Sequence, residues 1–342
     1  MRVLIIKTSS LGDVLHTLPA VTDAARLVPA VRFDWVVEEA FTEVPAWHPA
    51  VDRVIPVALR RWKHRPLQAL RQGEPQAAVR QLRERDYDRV IDAQGLVKSA
   101  VIARFAHGER YGLDAASARE PLAARVYNRR FAIARRQHAV TRVRQLFARS
   151  LGYETPDGQP DYGIRQRFQA KQEDNAGLVF LHGTTWLTKH WPEEYWVELA
   201  SMAVAAGMPV QLPWGNAEEK QRAEKIAAID DSISVLPRMR LDELAGVIAA
   251  ARGVVGVDTG LVHLAAALGT PCVTLYGATD PGLIGTVGAA QSHLRASFSC
   301  APCQERKCRY DGEAAVFPAC YSDLPPSRVW QTLDAALARH HD

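Results

Sequence analysis

The feature that most limits what this chain can become is a rhythm that occurs twice. Apolar runs of strand length alternate with helical stretches. In the first series, Val3–Ile6, Phe33–Val37, Val54–Val57 and Arg89–Asp92 read as strands. Helices are expected over Asp13–Val28, kinked or shortened by Pro19, over Ala77–Arg85 and over Val97–Phe105. In the second series, strands are expected at Leu178–Leu181, Val210–Leu212, Val254–Val257 and Cys272–Tyr276. The helices there are Glu193–Ala206, Glu218–Ala228, Leu241–Ala250, Leu261–Leu268 and Ser327–Ala338. Alternation of this kind predicts an α/β fold of parallel sheets with crossover helices. Between the series, Thr155–Gly163 (TPDGQPDYG) is rich in turn residues and lacks apolar periodicity, so it reads as a linker. The expected division is 1–160, 161–325 and a terminal helix in 326–342. Two segments break the rhythm. Leu59–Pro75 sets Arg60, Arg61, Lys63, His64 and Arg65 around Trp62 and reads as an exposed basic loop. Residues 285–325 read as irregular.

Composition narrows the class. With 342 residues, 47% hydrophobic and 23% charged, the chain is globular, and disorder, collagen and coiled coil are excluded. No apolar run reaches the ~18–20 residues that span a bilayer. The opening MRVLIIKTSS holds a four-residue apolar run, too short for the core of a signal peptide, so the expected compartment is the cytoplasm. The net charge of +4 hides an asymmetry: residues 1–170 carry 28 Lys and Arg against 18 Asp and Glu. Of those cations all but Lys7, Lys63 and Lys98 are Arg, which suits bidentate contact with phosphate or carboxylate and also follows from GC-rich coding.

Four loops carry candidate chemistry. Ser9-Ser10-Leu11-Gly12-Asp13 follows the first strand, where open parallel sheets bind ligands. Ser10 and Asp13 have capping-box spacing, and Asp13 equally fits a general base. Gly12 permits close backbone approach. Asp258-Thr259-Gly260-Leu261-Val262-His263 joins a strand to a helix and offers free N–H groups to a phosphate. His263 lies one turn in, as a cleft residue or a satisfied core histidine. The segment His182–Pro192 presents Thr184, Thr185 and Lys189 to a polyanion, or forms an ordinary polar loop. In Pro213–Glu219 an acidic residue at a strand end suits ribose hydroxyls, and also suits a helix first turn. No dinucleotide glycine motif or Walker phosphate loop is present.

Cys300, Cys303, Cys308 and Cys320 match the ligand count of a zinc site, but their spacing is not that of a standard ribbon. Cys272 reads as core. Asp86-Tyr87-Asp88 mimics the D-x-D triplet of metal-dependent sugar transferases but precedes its strand, and reads as a solvated turn.

Together KTSSLGDVLHTLPA, TTWLTKHWPEEYW, LPWGNAEE and DTGLVHLAAALGTPCVTLYGATDPGLIG, in this order, resemble the type I lipopolysaccharide heptosyltransferases of glycosyltransferase family 9. The resemblance implies a GT-B fold: two Rossmann-like domains with parallel sheets facing across a cleft that closes, and a last helix, 326–342, packing back on the first domain. It implies inverting transfer of heptose from ADP-heptose to the Kdo of Kdo2-lipid A, with Asp13 as base. Donor contacts map to Thr184, Thr185, Lys189, Glu219, Met239, Asp258, Thr259, Gly260 and His263. Acceptor contacts map to Ser10, Gly12, Arg60, Arg61, Lys63, Arg65, Lys98 and Arg119. It further implies that no cofactor or metal is required, that no nucleic acid is bound, and that the protein is a monomer at the cytoplasmic face of the inner membrane. A +10 half suits an acceptor bearing phosphates and carboxylates. The C-x2-C-x4-C segment departs from many type I members and resembles one found in type II. Transfer to an existing heptose, or a sugar-nucleotide epimerase on the same fold, are the alternatives.

Overall fold

The computed structural model describes residues 1–168 and 177–341. The chain forms two compact units, Met1–Ile164 and Arg165–Asp342.

In the first unit six strands form one parallel sheet. They are β1 (Arg2–Ile6), β2 (Arg32–Glu38), β3 (Val51–Val57), β4 (Asp86–Asp92), β5 (His107–Leu113) and β6 (Arg129–Phe131), ordered β3-β2-β1-β4-β5-β6. The second unit repeats the plan with β7 (Leu178–Leu181), β8 (Val210–Leu212), β9 (Ile233–Val235), β10 (Gly253–Val257), β11 (Cys272–Tyr276) and β12 (Gln291–Arg295), ordered β12-β11-β10-β7-β8-β9. Central strands such as β7, β10 and β11 are buried along their whole length. That is why they are continuous apolar runs in the sequence. In each sheet the strand order reverses beside the first strand, between β1 and β4 and between β7 and β10. Loops leaving those strands form the crevice where ligands of open α/β sheets bind.

Several segments differ from expectation. Pro19 opens its own helix, Leu18–Leu27, after a short Leu11–Leu15, so Asp13–Val28 is two helices. The expected basic loop is helical: Leu59–His64, Pro66–Arg71 and Glu74–Arg83. Its prolines occupy first turns, where the missing N–H costs nothing. The region 285–325 contains β12. The expected linker is sewn onto the first unit: Arg144 donates to Pro156 O at 2.9 Å, Arg26 pairs with Asp161, and Tyr162 and Ile164 are buried. At Gly163 (φ +70°) a β-carbon would strike His48 and Thr22. Asp86 and Asp88 lie at the start of β4, away from the strand exits; Asp86 contacts His107, and Asp88 accepts from Arg2 N. The final helix, Pro326–His341, packs on the second unit. Its Val329, Leu333 and Leu337 are buried in the second unit's core with Leu178, and Leu337 reaches to where a β-carbon on Gly253 would stand.

Candidate active site

The loop leaving β1 places Asp13 in the first turn of Leu11–Leu15. The Ser10 N–H and hydroxyl both donate to Asp13 Oδ2, at 2.9 and 3.0 Å. Oδ1 faces the Lys7 ammonium at 3.4 Å, and 41% of the Asp13 side chain stays open to solvent. The helix-start contact thus uses Oδ2, and part of the carboxylate stays accessible. Crowding by protein raises the Asp13 pKa. The Lys7 ammonium, the Ser10 N–H, His16 and the Ser10 hydroxyl outweigh that and bring it down to about 2. The group is a fixed anion across the physiological range.

Lys7 is buried, with Nζ also donating to Ala93 O at 3.1 Å. The β4 exit contributes Gln94, whose side-chain oxygen accepts from Thr8 N at 3.0 Å and Ser9 N at 3.3 Å. Lys98 and Arg119 are exposed near the same exit, where Glu120 accepts from Val97 N at 2.6 Å and Glu120 N donates to Gly95 O at 3.1 Å. Arg60, Arg61, Lys63 and Arg65 follow β3 on exposed helical surface. Arg61 is engaged by Glu39 at 2.9 Å and Glu74 at 2.6 Å. Among the described residues, Arg60, Lys63, Arg65, Lys98 and Arg119 are in no ion pair.

In the second unit the β7 and β10 exits bring the donor candidates together. Lys189 Nζ is 2.7 Å from Asp258 Oδ2, with side-chain exposures of 14% and 5%. Thr279 Oγ1 donates to the same oxygen at 2.5 Å, and Thr184 Oγ1 lies 3.4 Å from Asp258 O. The Asp258 charge is thus matched by an adjoining cation. The Lys189 ammonium lies 4.5 Å from the Trp186 ring centroid. Thr259 begins the helix Gly260–Leu268 without a side-chain cap, so its hydroxyl does not cover the N–H groups of the first turn. His263 is buried one turn in. Glu219 leans back over the β7 exit. Its Oε2 accepts from Gly215 N at 2.7 Å, and a β-carbon on Gly183 would lie 2.6 Å from its carboxyl carbon. Thr185 is exposed, and Met239 is half-buried on the segment after β9.

Sequence reading missed Gln94 and the two histidines of the β7 exit. Burial, with Arg222 and His190, lowers His182 to about 4, and burial lowers His190 as well. At neutral pH the cation of this loop is thus Lys189. The cysteine-bearing segment braces the loop from behind: Thr188 Oγ1 donates to Glu305 O at 2.5 Å and Tyr321 Oη to Lys189 O at 2.9 Å. Cys300 is exposed, Cys303 and Cys308 are half-buried, and Cys320 is buried. Burial and the three other thiols push Cys320 up to about 12. Among the described residues no three His, Cys, Asp or Glu side chains are arranged to hold a metal.

With this geometry in hand, likeness to known proteins becomes informative. Residues 76–313 match the family model of glycosyltransferase family 9 (heptosyltransferase). Lipopolysaccharide heptosyltransferase 1 of Pseudomonas aeruginosa is 53% identical over 98% of both chains. Lipopolysaccharide heptosyltransferase 2 of Escherichia coli is 26% identical over 98% of this chain and 99% of its own. Among solved structures, the E. coli heptosyltransferase WaaC with ADP is similar at a TM-score of 0.88 and 48% identity, covering 98% of this chain and 100% of that one. The same enzyme with ADP-2-deoxy-2-fluoro heptose gives a TM-score of 0.85 and 47% identity, covering 98% and 99%. The fold is therefore GT-B, and the type I relative stands well above the type II one. The chain is a glycosyltransferase and belongs to glycosyltransferase family 9, the heptosyltransferases.

Proposed function

We propose that this protein moves L-glycero-D-manno-heptose from ADP-heptose to the Kdo sugar of Kdo2-lipid A, with inversion, and that Asp13 is the general base. The observation that carries this reading is Asp13 itself: an anion with one oxygen held by Ser10, the other beside Lys7, and a side chain that stays partly open to solvent. The acceptor hydroxyl gives its proton to Oδ1 as its oxygen attacks the anomeric carbon. The bond to the ADP oxygen breaks, and the growing negative charge is met by the uncapped start of Gly260–Leu268, by Lys189 and by Thr184 and Thr185. Fixed donors of this kind supply what the leaving group needs, so no cofactor is called for. Glu219, Met239, Asp258, Thr259, Gly260 and His263 complete the donor site. Ser10, Gly12, Arg60, Arg61, Lys63, Arg65, Lys98 and Arg119 complete the acceptor site.

We further infer that the protein works as a monomer on the cytoplasmic surface of the inner membrane. No helix among the described residues is long and apolar enough to cross a bilayer. Leu67 (71% exposed) and Leu70 (53%) stand among Lys63, Arg65 and Arg71, a composition suited to an anionic lipid surface. Sedimentation with phosphatidylglycerol vesicles tests this; no co-sedimentation at low salt would sink it.

The test of the chemistry is a mass-spectrometric product assay with ADP-heptose and Kdo2-lipid A. The expected product is the acceptor plus one heptose. Conversion of the donor without any acceptor, or transfer only to an acceptor already bearing heptose, would overturn the reading.

A further inference from the structure

We propose that Gln94 is a positioning residue for the transfer, its side-chain amide fixing the loop that carries Asp13. This rests on the reading of Asp13 as base. The β1 strand ends at Ile6, so the N–H groups of Thr8 and Ser9 leave the sheet beside a buried side chain, Thr8. Donors there need acceptors, and the Gln94 oxygen takes both, at 3.0 and 3.3 Å. The acceptor is itself anchored. Asp92 is fully buried, and its Oδ1 accepts from Gln94 N at 2.9 Å and Gly95 N at 3.1 Å. Its Oδ2 accepts from Ser99 Oγ at 2.8 Å and Tyr127 Oη at 2.7 Å. Between them, Ala93 donates to Ile6 O at 3.1 Å and accepts from Lys7 Nζ at 3.1 Å. Two successive residues of the β4 exit, Ala93 and Gln94, thus grip four successive residues of the β1 exit, Ile6 to Ser9. The last of those, Ser9, adjoins the serine that holds Asp13 Oδ2.

The amide suits the place because it accepts two hydrogen bonds without charge. A carboxylate there would add an anion near Asp13 and compete for Lys7, while a shorter side chain would not span from β4. Gln94 touches neither reacting atom; it acts through the loop.

Gln94→Met keeps length and removes the acceptor. A base displaced by about 1 Å loses roughly 10- to 100-fold in rate. The expected result is a kcat loss of that size with KM for ADP-heptose and affinity for ADP unchanged. Amide hydrogen exchange at Thr8 and Ser9 should quicken, with β1 still protected. Gln94→Glu retains the acceptor and should restore the protection at Thr8 and Ser9, while its added charge keeps kcat below wild type. Wild-type kcat in Gln94→Met, unchanged exchange at Thr8 and Ser9, loss of ADP affinity together with kcat, or a Gln94→Glu enzyme whose Thr8 and Ser9 exchange as fast as in Gln94→Met would each overturn the proposal. Exchange needs no substrate, so it reports on the loop independently of turnover. Failure of the base reading shows separately, as Asp13→Ala retaining activity.

Discussion

In the first unit, Lys7 and Asp13 lie 3.4 Å apart at the exit of β1; in the second, Lys189 and Asp258 lie 2.7 Å apart at the exits of β7 and β10. The topological address is the same, since both pairs occupy the crevice where strand order reverses. What differs is which partner is left available. Asp13 keeps 41% of its side chain exposed, and its lysine is sunk in the sheet edge. Asp258 is 5% exposed and bonded by both Thr279 and Lys189. One crevice thus displays a carboxylate, and the other uses its carboxylate to hold a cation and a hydroxyl in place. The comparison teaches that an acid's role is set by how much of its carboxylate the surrounding loops leave open to solvent.

The comparison is broken most severely at Asp13. Asp13→Ala should lower kcat by about 10²- to 10⁴-fold, the range for loss of a general base, with ADP binding intact by calorimetry. Near-normal turnover would leave Asp13 as a helix cap only. Next comes Lys189→Met, which strands a buried carboxylate. Breaking one side of a buried pair costs about 3–5 kcal/mol, and here ADP affinity should fall with stability. Denaturant melts and calorimetry check both, and an unchanged midpoint would mean that Asp258 finds another partner.

Lys7→Met separates the pairs more finely. The folded-state pKa of Asp13, about 2, lies below its ordinary value of 3.8. Its contribution to stability is therefore present above the ordinary value and is lost as pH falls through about 2. Removing Lys7, with His16 left as the other nearby cation, should raise the acid limb of the kcat/KM profile toward the ordinary carboxylate range. A limb that does not move would show that Ser10 and His16 set the ionisation without Lys7. The smallest effects belong to the surface cations. Lys63→Ala with Arg65→Ala should raise acceptor KM several-fold and flatten its salt dependence. Arg61→Ala should do less, since Glu39 and Glu74 already occupy its guanidinium. Steady-state kinetics at two ionic strengths distinguish them.

How much of this was legible depended on where the physical cause lay. The central strands were readable because burial on both faces demands unbroken apolar runs, as in LVFL and GVVGV. The outlying strands β6 (RRF) and β12 (QSHLR) and the polar strand β5 (HGERYGL) were not, because register with a neighbour makes them strands, whatever their composition. Pro66 and Pro75 looked like loop residues and are helix starts. Asp13 and Lys189 were visible as residues, but the pairings with Lys7 and Asp258 were not. Gln94 left no local signal, because its partners lie 85 and 86 residues away in the chain.

Gly183 carries a last consequence. The Glu219 carboxyl group occupies the space a β-carbon would need there. The acid proposed for the donor site and the backbone that turns out of the second sheet are thus nested. Even a methyl group at that point would push the carboxylate aside, so Glu219 keeps this place only while position 183 is bare.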